Sequence, residues 1–177
     1  MRVLLLPTLG VNRRTEATRL KDALGVPLLV PAELLCAALA ARTPLGREAG
    51  EMLAAGVPLA DGIMLGMLDE RLAQPDVHAG FILDGYPRSL AQAQALDALL
   101  ARRCQSVDAA VQLAVDEALL IQRLMDVAGA DHVGGADGIR AHLRELEAGN
   151  APVIEHYRGQ GKLTALEPLI TRISPNQ

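Results

Sequence analysis

The chain has 177 residues, of which 50% are hydrophobic and 21% are charged. This size and balance are typical of one globular domain over residues 1–177 and exclude a largely disordered chain. The net charge of −4 at pH 7 and the absence of a long apolar run argue against nucleic-acid polymers and membranes as partners, and we expect a cytoplasmic protein.

Short apolar segments alternate with longer helical ones, a pattern typical of β-α units around a parallel sheet. The first half of the chain predicts, in order, a strand at residues 3–6, a polar turn at 7–15, a helix to about residue 24, a strand at 27–30 and a helical insertion at 31–74.

The second half continues the alternation. It predicts a strand at residues 81–84, a helix from Ser89 to about 103, a strand at 109–114, a helix at 116–124, a loop at 126–138, a helix at 139–158 and a fifth strand at 163–166. The whole pattern predicts a three-layer α/β fold with a five-stranded parallel sheet.

Two cysteines, Cys36 and Cys104, lack the spacing of metal ligands. Because free cysteines are commonly buried, we expect both of them to be small core residues.

The most informative segment runs from Gly80 to Arg88 and reads GFILDGYPR, with Gln92 shortly after it. A parallel strand that ends at Asp84 places this carboxylate at the sheet edge where ligands collect, and the following turn presents Arg88 beside it. Arginine suits bidentate phosphate binding, and a neighbouring aspartate suits hydrated Mg²⁺. A structural Asp that caps a turn and an Arg in a surface ion pair would produce the same residues, so both interpretations stay open.

This segment resembles the signature of the adenylate kinase family, Gly-Phe-Ile-Leu-Asp-Gly-Phe-Pro-Arg. The similarity extends over most of the chain in the family's order, through segments at residues 43–56, 61, 70–76 and 151–157. The resemblance implies a P-loop NTPase-like fold, with residues 31–74 as the helical monophosphate-binding insertion and residues 126–138 as a short lid.

The resemblance also implies roles for single residues. Arg88 would bind the phosphate of an AMP-like nucleoside monophosphate, and Gln92 and the backbone of Gly85 would contact its base. Asp84 would hold Mg²⁺ through water, and Arg123 is similar to the family arginine that stacks on the ATP base. Arg13, Asp84 and Arg88 are the candidate catalytic residues.

The first loop departs from the family pattern Gly-x-Pro-Gly-x-Gly-Lys-Gly-Thr. Residues 7–15 read PTLGVNRRT, so Gly10 and Thr15 match and Arg13 replaces the lysine. Arg14 stands in place of a glycine. Glycines let backbone N–H groups approach phosphates, and a planar guanidinium is not interchangeable with a compact ammonium. We interpret Gly10, Arg13, Arg14 and Thr15 as a remnant of the phosphate loop, and a solvated basic turn stays open as the alternative.

Arginines that the family uses on phosphates are also missing. Cys36 stands where one of them is expected, residues 126–127 replace a Gly-Arg pair, and His142 takes the place of a lid arginine. One transition-state arginine is worth roughly 10³–10⁵ in the rate of phosphoryl transfer.

We therefore interpret the chain as an adenylate kinase-like protein that binds or transforms an AMP-like nucleotide, with ATP doubtful and ordinary ATP:AMP phosphotransfer weak or lost. Two alternatives stay open. The first is a working nucleoside monophosphate kinase with an unusual phosphate loop. The second is a non-catalytic protein that acts as a scaffold or sensor.

Overall fold

The computed structural model describes residues 1–7, 13–113, 121 and 135–166. Within these ranges the elements are β1 (Arg2–Leu5), α1 (Arg13–Leu24), β2 (Leu28–Leu29), α2 (Pro31–Ala41), α3 (Pro44–Ala54), α4 (Asp61–Leu72), a 3₁₀ turn (Pro75–Val77), β3 (Phe81–Asp84), α5 (Leu90–Arg102), β4 (Ala109–Leu113), α6 (Gly135–Gly159) and β5 (Leu163–Leu166).

The five strands form one sheet in the order β2-β3-β1-β4-β5. Every neighbouring pair is parallel, which confirms the predicted five-stranded parallel sheet. Strand β1 is central, with β3 on one side and β4 on the other. The direction in which strands are added therefore reverses next to β1, and the chain leaves the sheet there at the carboxyl-end edge of the strands. That edge is where open α/β sheets bind ligands.

The central strands β1 and β3 are buried on both faces of the sheet. Leu4 and Leu83 pack into one apolar cluster, while Leu5 and Ile82 pack into another. This division follows from the alternation of side chains along a strand, and it explains why the strands read as continuous apolar runs. Helix α5 packs on one face through Leu96 and Leu99, and helix α1 packs on the other through Ala17, so the three predicted layers are helices, sheet and helix.

Helices α2, α3 and α4 have a small core of their own, which includes Ala38, Ala49, Ile63 and Met67. Helix α3 begins after Thr43, whose side chain accepts a hydrogen bond from the N–H of Gly46 at 3.0 Å. A Cβ on Gly46 would lie 2.0 Å from the carbonyl oxygen of Ala38. Glycine is therefore required where α2 and α3 approach each other, and helices fill the predicted 31–74 region.

Helix α5 begins directly after Ser89, in agreement with the predicted start, and the Ser89 side chain caps it by accepting a hydrogen bond from the N–H of Gln92. Helix α6 begins at Gly135 rather than near residue 139. The loop prediction is therefore wrong for residues 135–138, where two glycines mimic a loop signal. Asp137 stabilises this first turn through an ion pair with Arg140 at 3.1 Å. The predicted helix at 116–124 and the rest of the predicted loop lie outside the described residues, except for Ile121.

The prediction of buried cysteines is wrong. Both Cys36 and Cys104 are exposed free thiols. Cys36 lies on the outer side of α2, and Cys104 follows α5 in a left-handed turn with φ of 56°. The general burial preference of cysteine does not specify which side of a helix a given residue occupies.

None of the helices in the described ranges combines the length and apolar character needed to cross a bilayer.

Candidate functional site

The site is built around the end of β3. Asp84 pairs with Leu5 of β1 in the sheet register, and the N–H of Gly85 donates to the carbonyl of Leu5 at 2.9 Å. Gly85 adopts φ of +77°, a conformation that side chains with a Cβ rarely take. The chain therefore turns sharply out of the sheet directly after the Asp84 carboxylate.

Arg13 and Asp84 form an ion pair across this turn. The Nε–H of Arg13, the first residue of α1, donates to Oδ1 of Asp84. The Asp84 side chain is 7% exposed and the Arg13 side chain 29%. The pair therefore places a nearly buried negative charge against a cation that still reaches solvent.

The Arg13 guanidinium also lies close to the backbone of Gly85. A Cβ on Gly85 would be 2.9 Å from Nη2 of Arg13. The absence of a side chain at residue 85 thus makes room for the guanidinium. Three residues that the sequence assigned to two separate motifs, Arg13, Asp84 and Gly85, are brought together.

Arg88 is held by the turn that carries it. Its Nε–H donates to the carbonyl oxygen of Gly85 at 3.1 Å, and its backbone N–H donates to Oε1 of Gln92 at 2.9 Å. The Tyr86–Pro87 peptide bond between these residues is cis. The exposed Arg88 is therefore anchored at its Nε on the same side of the sheet as Asp84.

Gln92 connects this turn to the helical insertion. Its Nε2 donates to Oδ1 of Asp61 at 2.6 Å, and Asp61 is the first residue of α4. Asp61 belongs to a segment that resembles the family, but no pattern in the sequence indicates its role. The 31-residue separation of Asp61 and Gln92 offered no local signal for their contact.

Tyr86 points its hydroxyl into the protein. The side chain is 3% exposed, and within the described part of the chain its hydroxyl has no hydrogen-bond partner. Burial raises the pKa of Tyr86 to about 12, and the negative charge of Asp61 adds to the shift. The Tyr86 phenol is therefore harder to ionise than an exposed tyrosine.

The other residues predicted for the phosphate loop are distributed differently. Nη2 of Arg14 pairs with Oε1 of Glu33 at 2.6 Å, and both side chains are mostly exposed. Thr15 is exposed in the first turn of α1. Gly10 and Arg123 lie outside the described residues. The two neighbouring arginines therefore have different partners. Arg13 contacts Asp84, whereas Arg14 contacts Glu33 of α2 in the helical insertion.

One buried acid next to the site escaped the sequence reasoning. Glu16, in the first turn of α1, is 3% exposed and pairs with Arg19 at 2.9 Å. A carboxylate suits this position because the N-terminal end of a helix carries a partial positive charge. Its position in an amphipathic helix did not distinguish it from a surface acid.

A divalent cation is chemically compatible with Asp84. The described residues contain no group of three or more His, Cys, Asp or Glu side chains that would hold a metal. Mg²⁺ in phosphate-binding sites is usually held by one or two carboxylates together with water and substrate phosphates. A single buried carboxylate at the sheet edge fits this mode, although Arg13 already occupies one of its oxygens.

A sequence model of the adenylate kinase family matches residues 5–162 of the chain. An adenylate kinase of Xanthomonas euvesicatoria pv. vesicatoria (strain 85-10) is 43% identical over 182 residues, covering 98% of this chain and 97% of that protein. An adenylate kinase of Xanthomonas oryzae pv. oryzae (strain MAFF 311018) is 45% identical and covers 94% and 90%. One of Stenotrophomonas maltophilia (strain K279a) is 44% identical with the same coverage.

Proposed function

The chain belongs to the adenylate kinase family, and from this premise we propose that it transfers a phosphoryl group between ATP and AMP. The observation that carries the proposal is the turn after β3, where the Arg13 guanidinium pairs with Asp84 and Arg88 is held on the carbonyl of the next residue, Gly85. Similarity to proteins named adenylate kinase over nearly the full chain supports the same function.

We assign the acceptor phosphate to Arg88. Its Nε is fixed on the Gly85 carbonyl, so the planar guanidinium is oriented before a ligand arrives. We expect Nη1 and Nη2 to donate to the AMP phosphate, because charge-assisted bonds to a phosphate are the stronger hydrogen bonds in proteins. Arg88 then binds and orients the nucleophilic phosphate oxygen.

We assign the base to Gln92. A carboxamide has both an acceptor and donors, which matches the adjacent donor and acceptor that adenine presents on its pairing edge. The amide now contacts Asp61 and the Arg88 backbone. A bound base would take over these contacts, so Asp61 sets the orientation of the amide in the absence of a ligand. The carbonyl of Gly85 already accepts from Arg88, and a contact between this backbone and the base stays a prediction.

Phosphoryl transfer depends mainly on positioning and electrostatic stabilisation. Arg13, at the N-terminal end of α1, supplies a second positive charge beside Gly85, the residue whose carbonyl holds Arg88. Mg²⁺ held through water by Asp84 would supply further charge neutralisation on the donor phosphates. The net charge of −4 favours a small nucleotide over a nucleic-acid polymer as the partner.

A second candidate is a protein that binds AMP but transfers phosphate weakly. The Arg13–Asp84 ion pair favours it, because the guanidinium contacts the carboxylate assigned to Mg²⁺. The sequence of residues 7–15 also favours it, since Pro7, Asn12 and Arg14 replace three family glycines. The full-length similarity to proteins named adenylate kinase supports the working kinase better, so the kinase stands first.

A coupled assay with ATP, AMP and Mg²⁺, together with separate calorimetric titrations of AMP and ATP, distinguishes these functions. Turnover accompanied by binding of both nucleotides supports the kinase. Binding of AMP without turnover supports the second candidate. If neither nucleotide binds to the folded protein, both proposals fail and a scaffold or sensor is the function that remains.

A further inference from the structure

Helix α6 contacts the start of the phosphate loop through one side chain. Nδ2 of Asn150 donates to the carbonyl oxygen of Pro7 at 3.0 Å, across 143 residues of the chain. A carbonyl oxygen can only accept, so the donor in this contact is the amide N–H of Asn150. Pro7 is the first residue of the 7–15 segment. The contact therefore ties a helix from the last third of the chain to the point where the chain enters that segment.

Asn150 lies on the face of α6 that packs against the core. Val153 and Tyr157 follow it on the same helix face and are 1% and 0% exposed, because side chains three, four and seven residues apart share one side of a helix. Asn150 itself is half-buried. A polar side chain on an apolar face is costly unless it has a hydrogen-bond partner. The carbonyl oxygen of Pro7 is that partner, so the amide at residue 150 serves the contact rather than the packing of α6.

The carbonyl oxygen is the only backbone group through which Pro7 can be anchored, because proline has no N–H. The donor before it, the N–H of Leu6, bonds to the carbonyl oxygen of Val111 at 2.9 Å. Since the peptide group is planar, a hydrogen bond to the Pro7 oxygen also fixes the plane of the peptide bond by which the chain leaves Pro7. Asn150 thus sets the direction in which the chain continues beyond β1.

We propose that Asn150 is a positioning residue for the donor nucleotide, because it orients the start of the loop that would receive the phosphates of ATP. The inference rests on the proposed kinase function and adds a residue of α6 to its donor side. Asn150 acts through Pro7 rather than by touching the nucleotide. Phosphoryl transfer depends on exact placement of the reacting groups, so a small displacement of the bound donor is costly.

The acceptor side does not depend on this contact. Arg88 is held by the Gly85 carbonyl and by the side chain of Gln92, and Gln92 is held in turn by Asp61. None of these hydrogen bonds involves α6. Loss of the contact between Asn150 and Pro7 should therefore affect ATP and leave AMP almost unaffected. A purely structural role of Asn150 in the packing of α6 would not distinguish the two substrates.

Asn150→Leu tests the inference in the full chain. Leucine has the same branched outline as asparagine, lacks the N–H donor and is a better helix former, so it suits the apolar face of α6. In a coupled assay we expect the KM for ATP to rise about three- to tenfold, the effect of losing one hydrogen bond. The KM for AMP, measured at saturating ATP, should stay within about twofold of the wild type, because the acceptor contacts are intact.

Two further variants accompany this measurement. Asn150→Ala removes the donor without adding volume, so it should produce the same rise in the KM for ATP even where leucine does not fit. Gly149→Ala is the matched control. Gly149 is the exposed neighbour of Asn150, and a Cβ on it meets nothing within 4 Å, so both KM values should equal those of the wild type. Circular dichroism establishes that each variant is folded.

The outcomes separate the inference from the function on which it rests. A rise in the KM for ATP alone, in the Asn150 variants and not in Gly149→Ala, supports the inference. Unchanged KM values, equal rises for both substrates, or unfolding of both Asn150 variants overturn it and leave the kinase proposal standing, since the wild type still turns over. A wild type that shows no turnover and binds no ATP overturns the proposed kinase function and, with it, the inference.

Discussion

Arg88 holds its own turn in place while it offers its remaining donors to solvent. Its Nε contacts the Gly85 carbonyl, and Gln92 accepts from its backbone N–H. The segment GFILDGYPR predicted that Asp84, Gly85 and Arg88 would gather at the end of a strand, because strand, turn and charge are contiguous in the chain. The contacts of Arg13 and Asp61 were not predictable, since 71 and 31 residues separate them from their partners.

Arg88→Ala should weaken AMP binding by about 1.5–3 kcal/mol, because a charge-assisted hydrogen bond to the phosphate is lost. Calorimetric titration with AMP measures the change. Arg102→Ala removes an exposed arginine from the opposite end of α5 and should leave the affinity unchanged. If Arg88→Ala and the wild type bind AMP with equal affinity, the AMP phosphate does not bind at this turn.

Tyr86→Phe should raise the free energy of unfolding by up to about 2 kcal/mol. The substitution removes a buried hydroxyl that has lost its contact with water and forms no hydrogen bond among the described residues. Tyr157→Phe is the matched control. The Tyr157 hydroxyl donates to Oδ1 of Asp97 at 3.2 Å, so its removal should destabilise the protein by about 1–3 kcal/mol. Urea unfolding of both variants compares them, and a destabilised Tyr86→Phe would show that the Tyr86 hydroxyl has a partner.

At the scale of elements, the helical insertion depends on close contact between α2 and α3. The chain pattern predicted the helical region, because its apolar residues recur at helical spacing. It did not predict which glycine is needed for packing. Gly46 and Gly62 both stand in helices, yet only Gly46 faces the backbone of a neighbouring helix.

Gly46→Ala should therefore lower the free energy of unfolding by about 1–3 kcal/mol, since the added methyl group forces α2 and α3 apart. Gly62→Ala is the control in the same insertion. A Cβ on Gly62 meets nothing within 4 Å, and Gly62 stands in the first turn of α4, so this change should not lower the free energy of unfolding. Thermal unfolding distinguishes them, and equal effects of the two substitutions would contradict the close approach of α2 and α3.

At the scale of the whole molecule, the alternation of apolar runs and helices was sufficient to predict the parallel sheet. Runs that are apolar on consecutive residues fit strands buried on both faces, and the two clusters around Leu4 and Leu5 show that arrangement. The exposure of individual side chains was harder to predict where only the general preference of a residue type was available. The two cysteines were placed in the core by a general preference, whereas the outer side of α2 exposes Cys36 and the turn after α5 exposes Cys104.

The two tyrosines, which are the only ones in the chain, make the alkaline stability of the fold predictable. Burial raises the pKa of Tyr86 to about 12, and burial, followed by the charge of Asp97, raises the pKa of Tyr157. The unfolded chain releases these protons at about pH 10. The contribution of these groups to stability is therefore complete below about pH 10 and is lost as the pH rises towards their folded values.

We expect phenolate absorbance to increase above pH 10 together with the loss of circular dichroism, because the buried phenols ionise as the protein unfolds. The two signals should share a midpoint. Tyr157→Phe removes one of the two ionising groups, so this variant should lose its circular dichroism at a higher pH than its stability at neutral pH would lead one to expect. A phenolate titration at the ordinary tyrosine pKa in folded protein would contradict the burial of these rings.

The position of β1 at the centre of the sheet also sets the order in which the sheet can assemble during translation. A nascent chain that has emerged as far as Asp84 contains β1, β2 and β3, which are adjacent in the sheet. The outer edge of β4 meets its partner only when residues 163–166 leave the ribosome. Until then that edge presents unpaired backbone groups, and it is the part of the growing molecule where a holding chaperone would be most useful.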